Sequence, residues 1–289
     1  MYTTLIGVAD LAPHLEDADW VCLDCRFELS RPDWGGEAWA AGHIPHARYA
    51  HLDRDLSGPH SARAGRHPLP DPDALAATFS RFGIDAGVQV VAYDQGPGTY
   101  AARAWWLLRW LGHARVAVLD GGFAAWERAR LPVSSAPAAR PARRFEARPG
   151  SGWVVTTEEI AAALASGALA LGTPLLVDAR GADRFAGENE TLDPVAGHIP
   201  GAHSHPNALN LDARGQFRTV DELRRAWTTT LRGRPPAAVV AMCGSGVTAC
   251  HNLLALEVAG LGGARLYPGS WSEWIRDPAR AVAHGADTV

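Results

Sequence analysis

Short apolar runs, each closed by a polar or reactive residue, alternate along this chain with longer stretches of helical periodicity. Trp20-Val-Cys-Leu-Asp24, Val90-Val-Ala-Tyr-Asp94, Leu175-Leu-Val-Asp178 and Val239-Val-Ala-Met-Cys243 have the length and valine content of buried strands. Thr99 to Leu111 and Val247 to Ala259 read as helices that follow two of these strands across glycine-bearing loops. Strands alternating with helices predict an α/β fold with a mainly parallel central sheet flanked by helices.

The pattern is written twice. Asp24 followed by Ala41-Gly-His43-Ile-Pro45 is answered by Asp178-Ala-Arg180 followed by Ala196-Gly-His198-Ile-Pro200. Asp94 is answered by Cys243, and Gly121-Gly-Phe-Ala-Ala-Trp126 by Gly269-Ser-Trp-Ser-Glu-Trp274. The landmarks recur roughly 150 residues apart, far beyond the 20 to 50 residues of a solenoid unit, so the repeat is a duplicated domain. The proline-rich stretch 132–152 reads as an extended connector that could wrap the surface. The expected division is therefore 1–131, a linker at 132–152, and 153–289.

Composition narrows the function. With 289 residues and 47% hydrophobic content the chain can fill two cores. A formal net charge of −4 without blocks of like charge gives no overall basic surface for nucleic acid. All 27 basic residues are arginine, which excludes lysine Schiff-base chemistry and a P-loop lysine. No apolar run approaches a membrane span, and four cysteines without a secretory pattern suggest a reducing cytoplasm.

The chemistry concentrates at Cys243. It stands at a strand end before a helix start, and Gly244 and Gly246 let the backbone curl so that N–H groups face inward around an anion. A thiolate there is stabilised and nucleophilic. The first copy has Asp94 at this position, in Asp94-Gln-Gly-Pro-Gly-Thr99, and so lacks the nucleophile.

Two tandem copies, a strand end of the form Asp-x-Arg, Ala-Gly-His-Ile-Pro, and Cys243-Gly-Ser-Gly-Val-Thr248 together resemble the rhodanese superfamily of sulfurtransferases. The resemblance spans nearly the whole chain. It implies a silent first domain and a second domain in which Cys243 takes sulfur from a small-molecule donor as a persulfide, cradled by the backbone of Gly244, Ser245, Gly246, Val247 and Thr248. A thiol, either small or on a thioredoxin-like protein, or cyanide would accept the sulfur, with no metal or organic cofactor.

Relatives with two domains use thiosulfate or 3-mercaptopyruvate. Those that prefer thiosulfate carry basic residues after the nucleophile, whereas this loop has Gly244 and Ser245, which favours mercaptopyruvate. In that subfamily Arg184 matches an arginine that holds the donor carboxylate, while a second arginine expected before the Gly-His-Ile-Pro motif has no counterpart in 187–195. A Ser, His and Asp set that polarises the donor carbonyl would map to Ser245, His43 and Asp33, and Arg180 is a further candidate near the loop. Related phosphatases need an arginine about six residues after the cysteine; here Ala249, Cys250 and His251 follow. A non-catalytic docking or sulfur-carrier module is opposed by the intact cysteine loop.

Other candidates read first as structure. Cys22 and Cys25 lie on a strand without a second pair for zinc, and Cys250, two turns after Cys243, faces the helix body, with a resolving role open only under oxidation. His198, His203 and His205 lack an accompanying ligand pattern. His43 and His198 are expected to bond backbone, Asp24 and Asp178 to accept loop N–H groups, and Trp105, Trp106 and Trp110 to fill the core or a domain interface.

Overall fold

The computed structural model describes residues 1–137 and 140–286; two alanines of the connector and the last three residues lie outside the described residues. The chain divides into two compact units.

The first comprises Met1–Gly58, Leu69–Gly150 and Ala213–Phe217. Its sheet contains β1 (Leu5–Ile6), β2 (Trp20–Asp24), β3 (Arg48–Tyr49), β4 (Gln89–Tyr93) and β5 (Val116–Leu119) in the order β1-β5-β4-β2-β3, all parallel. The central strands are buried on both faces, which is why they read as unbroken apolar runs. The helix Thr99–Trp110 is buried on nearly every side, and Trp105 and Trp106 are core residues. The helix Pro72–Arg81 starts where Asp71 accepts the Asp73 and Ala74 N–H groups and proline occupies the first turn. Residues of the connector wrap this unit: Arg143, Arg148 and Gly150 donate to Ser80, Leu111 and Trp110 carbonyls, and Phe145 packs on Phe79.

The second unit comprises Pro59–Pro68, Ser151–Asp212 and the chain from Arg218 onward. Its strands β6 (Leu175–Asp178), β7 (His203–Ser204), β8 (Val239–Met242) and β9 (Arg265–Leu266) run parallel in the order β7-β6-β8-β9. Val154 bridges Leu266 in parallel, as β1 does β5 in the first unit. Reciprocal capping boxes, Thr156 with Glu159 and Thr219 with Glu222, fix the starts of helices Thr157–Ala165 and Val220–Leu231. A core of Ile160, Leu176, Phe185, Val240, Tyr267, Trp271 and Trp274 lies beneath the sheet.

The units are not contiguous, unlike the division expected at 132–152. Polar groups outweigh chain order. Gly65 and Arg66 donate backbone N–H groups to Glu273 and to Ser272 Oγ, fastening 59–68 to the second unit. Phe217 N–H binds the Asp120 carboxylate, holding 213–217 in the first. Among the described residues no helix is long and apolar enough to cross a membrane.

One buried network makes the second unit sensitive to acid. His205 stacks on Trp227, with Nδ1 on Thr230 Oγ1 and Nε2 on Asn210 Oδ1. Burial pulls its pKa down to about 4, against a smaller opposing contribution from Asn210. The folded state thus prefers neutral imidazole, so its stabilisation is complete above the unfolded value near 6.5 and is lost as pH falls toward 4. We expect about 3 kcal/mol to disappear across that window. His205→Gln should flatten this part of the stability curve in denaturant titrations; an unchanged curve would remove His205 as the cause.

Candidate active site

Strand β8 ends at Met242, paired with Asp178 at the end of β6, so Cys243 is the first residue beyond the sheet. This is the carboxyl edge, where open parallel sheets place their ligands. Cys243 is 2% exposed, and its Sγ accepts the Ser245 N–H at 3.5 Å. The loop turns through Gly246, whose φ is +75°, into the helix Thr248–Val258, with Val247 at its N-cap. A neighbouring loop holds it from outside. Trp271 and Ser272 N–H groups bind the Cys243 and Gly244 carbonyls, and Ser270 Oγ accepts the Cys243 N–H while donating to Tyr267 O. Ser270 adopts φ +54°, a left-handed conformation that the bond to Cys243 helps retain.

The first unit repeats this frame. Phe123 and Ala124 N–H groups bind the Asp94 and Gln95 carbonyls, and Gly122, with φ +55°, stands where Ser270 does. There the cradle is filled by the protein itself: the Asp94 carboxylate accepts the N–H groups of Gly96, Gly98, Tyr100 and Ala101. Burial raises the Asp94 pKa, and these four donors oppose the rise. By position from the strand end, Gly96 and Gly98 correspond to Ser245 and Val247. The same loop geometry therefore binds an anion in one copy and presents a thiol in the other.

Charged side chains surround the second loop. Asp178 accepts the backbone N–H, Nε and Nη2 of Arg180, which also donates to Gly197 O, tying the Asp-x-Arg strand end to the Gly-His-Ile-Pro turn. Asp24, Arg26 and Gly42 O make the same clamp in the first unit. Burial would lower the Arg180 pKa, but Asp178, Glu190 and Cys243 outweigh it and raise the value. Arg180 is thus a structural cation within electrostatic reach of Cys243.

Arg184 presents Nε and Nη2 to Glu190 and Nη2 also to Asp193 at 3.2 Å. Burial would raise the Glu190 pKa, yet the Arg184 bonds and the Leu192 and Asp193 N–H groups hold it below the ordinary range. Asp193 also binds Arg66 Nη1 at 2.7 Å. The segment 187–195, which lacks the expected arginine, supplies these two carboxylates instead.

The histidine beside Ser245 is His67, not His43. His67 Nδ1 lies 2.7 Å from Ser245 Oγ, and both residues are buried. His43 bonds Trp39 O and Ala136 O through its two ring nitrogens and stacks on Trp39, which leaves neither nitrogen for a substrate. Asp33 is exposed and ion-paired with Arg54. The repeat drew attention to His43 because it shares a motif with His198, and that motif builds a turn: His198 bonds Phe185 O and stacks on the Phe185 ring. Arg66 and His67, in Gly65-Arg-His-Pro-Leu-Pro70, have no second copy, so the repeat could not expose them. The proline-flanked histidine was the signal available.

The remaining thiols face inward. Burial pushes Cys22 up to about 12, and burial with Asp24 raises Cys25 further, so both are unreactive near neutrality. Cys250 is buried with its S–H directed at Gly246 O.

Two matches to the rhodanese-like domain, over residues 8–129 and 156–277, cover most of the chain. The chain belongs to the rhodanese family. This tandem rhodanese is 47% identical to a probable 3-mercaptopyruvate sulfurtransferase of Pseudomonas aeruginosa, over 97% of this chain and 98% of that protein. It is 38% identical to a putative thiosulfate sulfurtransferase of Mycobacterium tuberculosis, over 97% of each. The 3-mercaptopyruvate sulfurtransferase structure from Leishmania major superposes with a TM-score of 0.83 at 32% identity, covering 94% of this chain and 74% of that one.

The loop geometry of this rhodanese tolerates no side chain at Gly246, where a β-carbon would sit 2.5 Å from Pro268 O. Gly246→Ala should cost about 1–3 kcal/mol from the left-handed φ alone. It should lower thermal stability by several degrees. Calorimetry on the variant showing an unchanged Tm would refute the strain argument.

Proposed function

We propose that this chain is a 3-mercaptopyruvate sulfurtransferase working through a persulfide on Cys243. The observation that carries the reading is a thiol at the focus of a loop whose twin binds a carboxylate. Cys243 thiolate attacks the donor sulfur, and the carbon–sulfur bond breaks with its electron pair passing to the carbon as the enolate of pyruvate. Protonation of that carbon, matched by the proton the donor thiol gives up, releases pyruvate. The outer persulfide sulfur rests against the N–H groups of Gly244, Ser245, Gly246, Val247 and Thr248. Ser245, backed by His67 Nδ1, is placed to donate to the developing enolate oxygen. An acceptor thiolate then attacks the outer sulfur and regenerates Cys243; cyanide leaves as thiocyanate. Small thiols and thioredoxin-like proteins are the acceptors this reading implies, in the cytoplasm, where the Cys243 thiol is not lost to disulfide formation.

Charge separates the donors. Around the loop the guanidiniums of Arg66, Arg180 and Arg184 are matched by the carboxylates of Asp178, Glu190 and Asp193. A balanced site beside a thiolate disfavours dianionic thiosulfate more than a donor with one carboxylate. Thiosulfate:cyanide sulfurtransfer by the same persulfide is the second reading, supported by the name of the mycobacterial relative.

Rates of sulfur transfer to cyanide from 3-mercaptopyruvate and from thiosulfate, with intact mass after donor alone, test the assignment. We expect faster turnover with mercaptopyruvate and a gain of one sulfur that Cys243→Ser abolishes. Faster turnover with thiosulfate overturns the donor, and sulfur loading on Cys243→Ser overturns the mechanism. Arg184→Ala should raise the mercaptopyruvate KM about tenfold or more, the loss of one charge-assisted contact; an unchanged KM would take Arg184 out of the donor site.

A further inference from the structure

Arg66 reaches the nucleophile's loop from a segment distant in sequence. Its Nη2 lies 3.1 Å from the point a β-carbon on Gly244 would occupy, with Arg184 Nη2 and Asp193 Oδ2 each 3.8 Å from that point. Gly244 directly follows Cys243, so the absence of its side chain lets two guanidiniums approach the residue beside the thiol. Asp193 already joins them, binding Arg66 Nη1 at 2.7 Å and Arg184 Nη2 at 3.2 Å. The Asp193 carboxylate thus holds both arginines beside Gly244.

The guanidinium edge that matters is not used by Asp193. Arg66 Nε is buried without a hydrogen-bond partner, and Nη2 reaches Asp193 only at 3.5 Å. Nε and Nη2 form one side of the planar fork, the side that receives a carboxylate through two parallel bonds. An unpaired buried donor is costly, so a ligand that satisfies it gains that energy. The position is fixed from both flanks, by the Arg66 N–H on Ser272 Oγ and by His67 on Ser245. Arg66 also lines a cavity of about 380 Å³ together with Asp193, Leu192, Ser272 and Arg276, a volume ample for a three-carbon acid.

We propose that Arg66 is a donor-specificity residue of this chain, binding the carboxylate of the sulfur donor through its Nε and Nη2 edge together with Arg184. The assignment rests on the mercaptopyruvate reading above. It makes the segment 59–68 a part of the donor site, supplying the cation that 187–195 lacks.

The test compares 3-mercaptopyruvate with mercaptoacetone, the same α-mercapto ketone without a carboxylate. For the full-length Arg66→Gln chain, the ratio of kcat/KM for mercaptopyruvate to that for mercaptoacetone should fall about tenfold or more, with the change in KM exceeding that in kcat. A ratio equal to that of the unmodified chain overturns the proposal, because a purely structural role would depress both donors alike. Should Arg66→Gln turn over neither donor, calorimetric binding of pyruvate to Arg66→Lys decides: weakening by about tenfold supports the fork, and unchanged affinity overturns it. Absence of mercaptopyruvate turnover by the unmodified chain would instead be the failure of the functional reading, visible before any variant is made.

Discussion

Backbone N–H groups that converge on one point cannot be buried without an acceptor there, and this constraint governs both halves of the chain. In the first half the acceptor is the Asp94 carboxylate, held by four N–H groups at the start of the helix Thr99–Trp110. The Asp94 side chain thus occupies the point on which the loop's N–H groups converge. In the second half Cys243 stands at the same point, and the Ser245 N–H reaches its sulfur. A carboxylate at this point in the first unit is thus replaced by a thiol in the second, the replacement on which the proposed sulfur transfer rests.

Holding that loop open requires supports on each side, and they are nearly identical in the two units. The Asp-x-Arg strand end clamps the glycine before the repeated histidine turn through Arg26 to Gly42 O and Arg180 to Gly197 O. The turn after β5 or β9 grips the loop carbonyls from the opposite side. What the second unit adds is local. Ser270 replaces Gly122 and bonds the Cys243 N–H, and Arg66, His67, Arg184, Glu190 and Asp193 gather around the sulfur loop. The scaffold is shared, and the chemistry lies in the differences.

This division explains what the sequence disclosed. Strands such as Trp20–Asp24 and Leu175–Asp178 were legible because burial on both faces leaves a short valine-rich run, and the helix after Cys243 begins one residue inside its expected start because Val247 is the cap. That Cys243, Ser245 and Arg184 gather at one loop was legible from local motifs. His43 was misplaced because the strongest repeated motif marks a turn that both copies need, and so carries no information on which copy reacts. Arg66 and His67 were missed because they lie before Pro68 in a stretch that folds with the second unit though written within the first half. Local pattern reports which element a residue forms; it does not report which distant segment a hydroxyl or N–H will recruit. The Ser272 Oγ bond to the Arg66 N–H spans most of the chain and has no periodicity to reveal it.

The charge arrangement around Cys243 then acquires a physical rationale. Arginines placed to receive an anionic donor would repel one another and draw anions indiscriminately if left uncompensated. Glu190, held ionised by Arg184 and by two backbone N–H groups, and Asp193, shared by Arg66 and Arg184, compensate them without occupying every donor atom. The guanidiniums are thereby fixed in orientation before the donor arrives, which reduces the ordering that binding must impose. Geometry is retained while net charge is cancelled, so recognition depends on matching a planar carboxylate to a planar fork more than on the total charge of the ligand. On the proposed reading, a donor with a carboxylate beside a carbonyl meets both the fork and the Ser245 hydroxyl, whereas a compact dianion adds charge to a site whose net charge is already cancelled.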